Sequence, residues 1–135
     1  MTGDDFAFRR NKIVLGVDDQ PENVLILRAV LEVAGYTFLG ASSGPECLSL
    51  AARSSPRLVL LDVQMPDMDG FETCRRLRAN WDLKAVPVAF LTGRKSVDDV
   101  RAGIDAGGND FITKPFDRER LLARVDHWTR KTIAA

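Results

Sequence analysis

Leu58-Val59-Leu60-Leu61-Asp62, followed by Val63-Gln64-Met65-Pro66-Asp67-Met68-Asp69-Gly70, is the stretch on which the fold turns. Four consecutive apolar residues show no alternation, so both faces of the segment head for burial, as in a strand of a parallel sheet. An acidic residue closes the run, and the chain then turns. A carboxylate in that place sits at the carboxyl edge of the sheet, where open α/β folds bind their ligands.

On the N-terminal side of this stretch, Lys12 to Val17 is a first apolar run that ends in Asp18-Asp19. A helix follows with Pro21 in its first turn, where a missing N–H costs little. Val24, Leu27, Leu31 and Ala34 share one face of it, broadened by Ile26, Val30 and Val33, and Gly35 stops it. Tyr36 to Ala41 is less apolar and reads as a strand nearer the edge. Gly44 to Arg53 is a second helix with Cys47, Leu48 and Ala51 inward.

On the C-terminal side, Asp69 caps a helix with Phe71, Cys74 and Leu77 on one face. Val86 to Leu91 is a fourth strand with Pro87 in its first residues, and it runs into Thr92-Gly93. A helix from about Ser96 to Ala106 is expected to turn Val97, Val100 and Ile104 inward. Asn109 to Thr113 is a short fifth strand before Lys114-Pro115-Phe116. Asp117 caps a last helix with Leu121, Val125 and Trp128 on one face. Five strands alternating with five helices give an α/β fold, a doubly wound five-stranded parallel sheet with right-handed crossovers. The expected organisation is one domain over 12–131, with tails at 1–11 and 132–135.

The chain has 135 residues, and its 19 basic side chains balance its 19 acidic ones. That balance gives no support for non-specific nucleic-acid binding. No stretch approaches the roughly 18 apolar residues of a membrane span, and the N-terminus has no apolar leader, so a cytoplasmic location is expected. Cys47 and Cys74 lack metal-like spacing and fall on apolar helix positions, which favours reduced, buried thiols.

The residues with chemistry collect at strand ends. Asp18 and Asp19 follow the first strand, Asp62 closes the third, Thr92 follows the fourth and Lys114 the fifth, all on one edge. Crowded carboxylates repel: two unit charges about 4 Å apart cost roughly 4 kcal/mol at an effective dielectric of about 20. A hard divalent cation such as Mg²⁺ suits oxygen ligands and also bridges phosphate oxygens. Lys114 adds a compact positive charge for a phosphoryl oxygen, and Thr92 a hydroxyl donor. Asp62 is then a nucleophile able to take a phosphoryl group as an acyl phosphate.

Asp18-Asp19, Asp62, Met65-Pro66, Asp69-Gly70, Thr92 and Lys114-Pro115-Phe116 together resemble the pattern of bacterial response-regulator receiver domains, chemotaxis-regulator-like and of flavodoxin-like (βα)5 fold. The resemblance runs from about Lys12 to Lys131. It implies that Asp62 is phosphorylated by a histidine kinase or a histidine phosphotransfer protein. It implies that Asp19, Asp62 and the backbone carbonyl of Gln64 bind Mg²⁺, with Asp18 acting through a metal-bound water. Thr92 would swing toward the phosphate, and Phe111 would follow it from exposed to buried. The Lys114–Pro115 bond is typically cis in this family.

Two positions depart from the common pattern, and two more are variable in it. Phe111 replaces a frequent tyrosine, Gly93 replaces alanine or serine, and Gln64 and Arg94 stand at variable positions that tune phosphoryl lifetime. The family's responsive face comprises the fourth helix, fifth strand and fifth helix, here about Ser96 to Lys131, which would bind a downstream protein target or a second copy. His127 and the arginines at 118, 120, 124 and 130 read as a solvated helix face, with a partner surface as the other reading of the arginines. Two other functions remain open: a receiver fold used as an unphosphorylated interaction scaffold, and an aspartate-nucleophile phosphohydrolase of the haloacid-dehalogenase type. The latter looks for a second Asp where Gln64 stands.

Overall fold

The computed structural model describes residues 11–93 and 96–134. The expected N-terminal tail, apart from Asn11, lies outside the described residues, as does Arg94. Five strands form one parallel sheet: β1 (Ile13–Val17), β2 (Thr37–Ala41), β3 (Leu58–Asp62), β4 (Val88–Thr92) and β5 (Asp110–Thr113), in the order β2-β1-β3-β4-β5. The connecting helices are α1 (Pro21–Val33), α2 (Gly44–Ser54), α3 (Gly70–Ala79), α4 (Val97–Ala106) and α5 (Arg118–Ala134), with a 3₁₀ turn at Trp81–Leu83.

β3 is central and buried along its whole length, as four unalternating apolar residues require. Its side chains alternate between two cores. Val59 and Leu61 face a layer with Cys47, Ala51, Cys74, Leu77 and Phe90, while Leu58 and Leu60 face Leu27, Leu31, Leu121 and Val125. Cys47 and Cys74 are buried free thiols in the first layer. Burial, helped by the neighbouring Cys74, pushes the Cys47 thiol up to about 12. β2 and β5 are the two edges. Pro87 lies just before β4 rather than in it, and its carbonyl accepts from the Val59 amide.

Two helix faces differ from expectation. On α1 the sheet covers only the stripe of Leu27 and Leu31 with Val24 and Val30, and Ile26 and Val33 are exposed. Ile26 is one residue, about 100° of helical rotation, away from Leu27, and one sheet face accommodates a single stripe. On α4 the error is larger: Val97 and Ile104 are 75% and 64% exposed. The side that meets the sheet carries Gly103 and Ala106, because the rings of Phe90 and Phe111 occupy the space beneath it. Apolar periodicity found the helix and assigned its bulky stripe to the wrong side.

Candidate functional site: an acidic pocket bridged by a lysine

Strand register assembles the site. Val17 pairs with Leu61, so Asp18 emerges level with Asp62. Asp62 pairs with Leu91 and Thr92 with Thr113, so Thr92 emerges one step further on than Asp62, and Lys114 one step beyond Thr92 on the next strand. The Lys114 amide donates to the Thr92 carbonyl (2.8 Å), and the Val63 amide to the Leu91 carbonyl (3.0 Å). These bonds carry the sheet pairing past the strand ends and hold the chemical side chains on a rigid rim.

Carboxylate oxygens of Asp18, Asp19 and Asp62 lie within 4.8 Å of one another. Asp18 and Asp62 are buried and Asp19 is exposed, so the cluster is open on one side. The Lys114 ammonium bridges the two buried members, donating to Asp18 Oδ2 (2.7 Å) and Asp62 Oδ1 (3.0 Å). Asp18 also accepts from the Gln20 amide through Oδ1 (3.0 Å). Both of its oxygens are therefore engaged by the protein.

The electrostatics follow from this crowding. Burial raises the Asp62 carboxyl, the Lys114 hydrogen bond lowers it, and the charges of Asp18 and Asp19 raise it again; it settles at about 6. Burial alone would lower Lys114, but its hydrogen bonds to Asp18 and Asp62 win and hold it above its ordinary value. Lys114 therefore stays cationic while Asp62 is easier to protonate than an ordinary aspartate. An additional positive charge on the open side would relieve the residual repulsion. Carboxylate oxygens at this spacing are a hard donor set of the kind Mg²⁺ prefers.

The loop after β3 is fixed by α3. Asp69 accepts from the Glu72 amide (2.8 Å) as the expected N-cap, and the Gly70 amide donates to the Val63 carbonyl (2.9 Å). A Cβ on Gly70 would stand 2.2 Å from the Asp62 carbonyl oxygen and 2.9 Å from Val63 Cα. Gly70 thus permits the helix start to press against the backbone of Asp62. Both clashing atoms are backbone, so Gly70→Ala is expected to destabilise the fold by about 1–3 kcal/mol, the usual range for overpacking. It should also shift the amide resonances of residues 62 to 64. Native stability and unchanged amides would show the approach to be slack.

The remaining expected site residues spread further. Thr92 is buried at the end of β4, and Gln64 is exposed two residues past Asp62. Phe111 is half-buried, with its ring packed on Phe90 at 5.3 Å between centroids. The Lys114–Pro115 bond is cis. The spacing roles of Gly70 and Gly103 were missed from the sequence, although Gly103 inside a helix was a visible oddity there.

A family model described as the response regulator receiver domain matches residues 14–126. The chain belongs to this family. The response regulator MprA of Mycobacterium leprae is 43% identical over 119 residues, 88% of this chain and 51% of that protein. The chain spans 26% to 51% of the length of the curated relatives it matches first. Among solved structures, the chemotaxis protein CheY4 of Vibrio cholerae superposes with a TM-score of 0.83 at 31% identity, covering 85% of this chain and 96% of that one. The receiver domain of the sensor histidine kinase PA1611 of Pseudomonas aeruginosa, at 29% identity and TM-score 0.81, covers 88% and 98%. That structure holds a magnesium ion coordinated in its active-site cleft. The chain is a receiver domain of the two-component type, a signalling module whose family role is to accept a phosphoryl group, built on the CheY-like flavodoxin fold. No helix of the described residues is long and apolar enough to cross a membrane.

Proposed function

We propose that Asp62 of this receiver accepts a phosphoryl group from a phosphohistidine on a histidine kinase or histidine phosphotransfer protein. A carboxylate oxygen of Asp62 attacks phosphorus, the phosphorus–nitrogen bond to the donor imidazole breaks with its electron pair going to nitrogen, and the ring, protonated beforehand on its other nitrogen, leaves as neutral imidazole. Asp62 becomes an acyl phosphate. The observation that carries this reading is the gathering of Asp18, Asp19 and Asp62 around one space with Lys114 bridging the buried pair.

Lys114 holds the carboxylates together at rest and is in reach of phosphoryl oxygens once they arrive. Thr92, at the adjoining strand end, would donate its hydroxyl to the same group. Mg²⁺ would be held by Asp19, Asp62 and the Gln64 carbonyl, and when bound it supplies charge neutralisation of phosphoryl oxygens. Asp18, with both oxygens already engaged, suits an indirect role through a metal-bound water. The working unit is residues 12–131 in the cytoplasm, without direct nucleic-acid or membrane contact.

The signal would leave through the face made by α4, β5 and α5, as Thr92 and Phe111 reorient. The exposed Val97, Arg101 and Ile104 with the half-buried Val100 line a shallow groove there, suited to a protein target or a second copy of the chain. The test is incubation with acetyl phosphate and Mg²⁺ followed by intact mass. The native chain should gain one phosphoryl group and Asp62→Ala none. No gain in the native chain would leave an unphosphorylated scaffold, and steady phosphate release from small phosphomonoesters would indicate a hydrolase.

A further inference from the structure

We infer that Gly103 is the seat of the Phe111 ring, and that its missing side chain lets the ring rest under α4. This deepens the proposed function, since it rests on reading Phe111 as a switch residue. Glycine is among the poorest helix formers, yet Gly103 stands within the ten-residue helix α4 and does not have the positive φ that would demand glycine. The reason is space. A Cβ there would lie 2.4 Å from Phe111 Cζ, 2.9 Å from Phe111 Cε2 and 3.1 Å from Phe90 Cε2.

The surroundings decide which group would yield to an added methyl. The backbone of Gly103 is pinned, because its carbonyl accepts from the amides of Gly107 and Gly108. The end of α4 is pinned in turn by Arg78, whose Nε (2.9 Å) and Nη2 (2.8 Å) both donate to the Gly107 carbonyl. Arg78 also donates to the Val86 carbonyl (2.6 Å), which ties α4 to the segment entering β4. Phe90 is fully buried and wedged: Phe71 meets it edge-on at 5.1 Å, and a Cβ on Gly108 would stand 2.2 Å from it. Phe111 alone of these groups is a half-buried side chain on an edge strand, with room to leave. A methyl at position 103 therefore expels the Phe111 ring and leaves the helix in place. Gly103 is a positioning residue acting through Phe111.

The test is a double-mutant cycle with a direct readout of the ring. Gly103→Ala should lower Tm by a few degrees in the native background. In the Phe111→Ala background the same change should raise Tm, because the clash is gone and alanine is the better helix former. With fluorinated phenylalanine, the Phe111 fluorine signal, assigned by its loss in Phe111→Ala, should move and gain solvent-isotope sensitivity in Gly103→Ala. A Gly103→Ala chain that folds only beside Phe111→Ala supports the seat as well. An equal change in Tm in both backgrounds, failure to fold in both, or an unmoved fluorine signal overturns it. Phosphoryl gain from acetyl phosphate, followed by mass in the same proteins, separates the two levels. Its absence from the native chain sinks the phosphoacceptor reading, whereas the ring and Tm data judge the seat alone.

Discussion

In the presence of a chelator, the unfolding free energy of the native chain should fall as the pH rises from about 4 to about 6, and Asp62→Asn should abolish that fall. Asp62 has an ordinary value of 3.8 and sits at about 6 in the folded chain, raised by burial first and by Asp18 and Asp19 after it. Between those values the folded state holds a proton that the unfolded state has released, so stability declines with pH across the window. At about 1.4 kcal/mol per unit the loss approaches 3 kcal/mol, an upper figure because the cluster opens to solvent at Asp19. Asp110 has the opposite sign. Burial would raise it, but hydrogen bonds from Arg124, Trp128 and the Phe111 amide hold it below its ordinary value. Its contribution is present above about pH 4 and disappears at more acid pH, outside the window. The raised Lys114 contributes stability lost only above its ordinary value near 10.5. Asp62→Asn should therefore be more stable than the native chain at pH 7 without metal. If Asp62 holds Mg²⁺ as proposed, the ion should stabilise the native chain more than Asp62→Asn, since the variant would lack one of its ligands in the folded state. Urea titrations at pH 4, 5, 6 and 7 decide the matter, and a flat native profile would mean the carboxylates do not strain the fold.

The parts of this arrangement that could be read from the sequence are those fixed by chain direction. Asp62 ends an unalternating apolar run, and parallel strands all end on one edge, so Asp18, Asp19, Thr92 and Lys114 had to gather there. Contacts between residues of similar size and polarity were harder to foresee. Nothing in the order of residues says that Lys114 lies closer to Asp18 than to Asp62, because that depends on fractions of an ångström at the strand ends. Nor does periodicity reveal that α4 meets the sheet through Gly103 and Ala106, since the deciding volumes belong to Phe90 and Phe111 on other elements. Arg124, read as part of a solvated face, pairs with Asp110, while Arg118, Arg120 and Arg130 are exposed. A charge on the flank of a helix is settled by what the adjacent strand edge presents.

Lys114→Met is expected to have the larger effect of the two on the metal-free protein. Methionine keeps an apolar stem of similar length and removes only the cation, so the loss reports charge more than packing. Asp18 is fully buried, and its Oδ2 would face a thioether in place of an ammonium at 2.7 Å. Removing one partner of a buried ion pair typically costs about 3–5 kcal/mol, because the charge left behind is uncompensated. A loss near 3 kcal/mol at pH 7 in chelator is expected, since Asp62 can take up a proton in partial compensation. The loss should shrink at pH 5 for the same reason and shrink again on adding Mg²⁺ at pH 7. Lys114→Arg separates charge from placement: it should recover much of the stability, but its planar fork presents its donors differently from a point charge. Phosphoryl uptake from acetyl phosphate should slow roughly a hundredfold in Lys114→Met, the cost of losing one preorganised stabiliser of developing charge. Lys114→Met as stable as the native chain in chelator at pH 7 would show that the bridging ammonium is incidental. The carboxylates would then hold their positions through the strand ends alone.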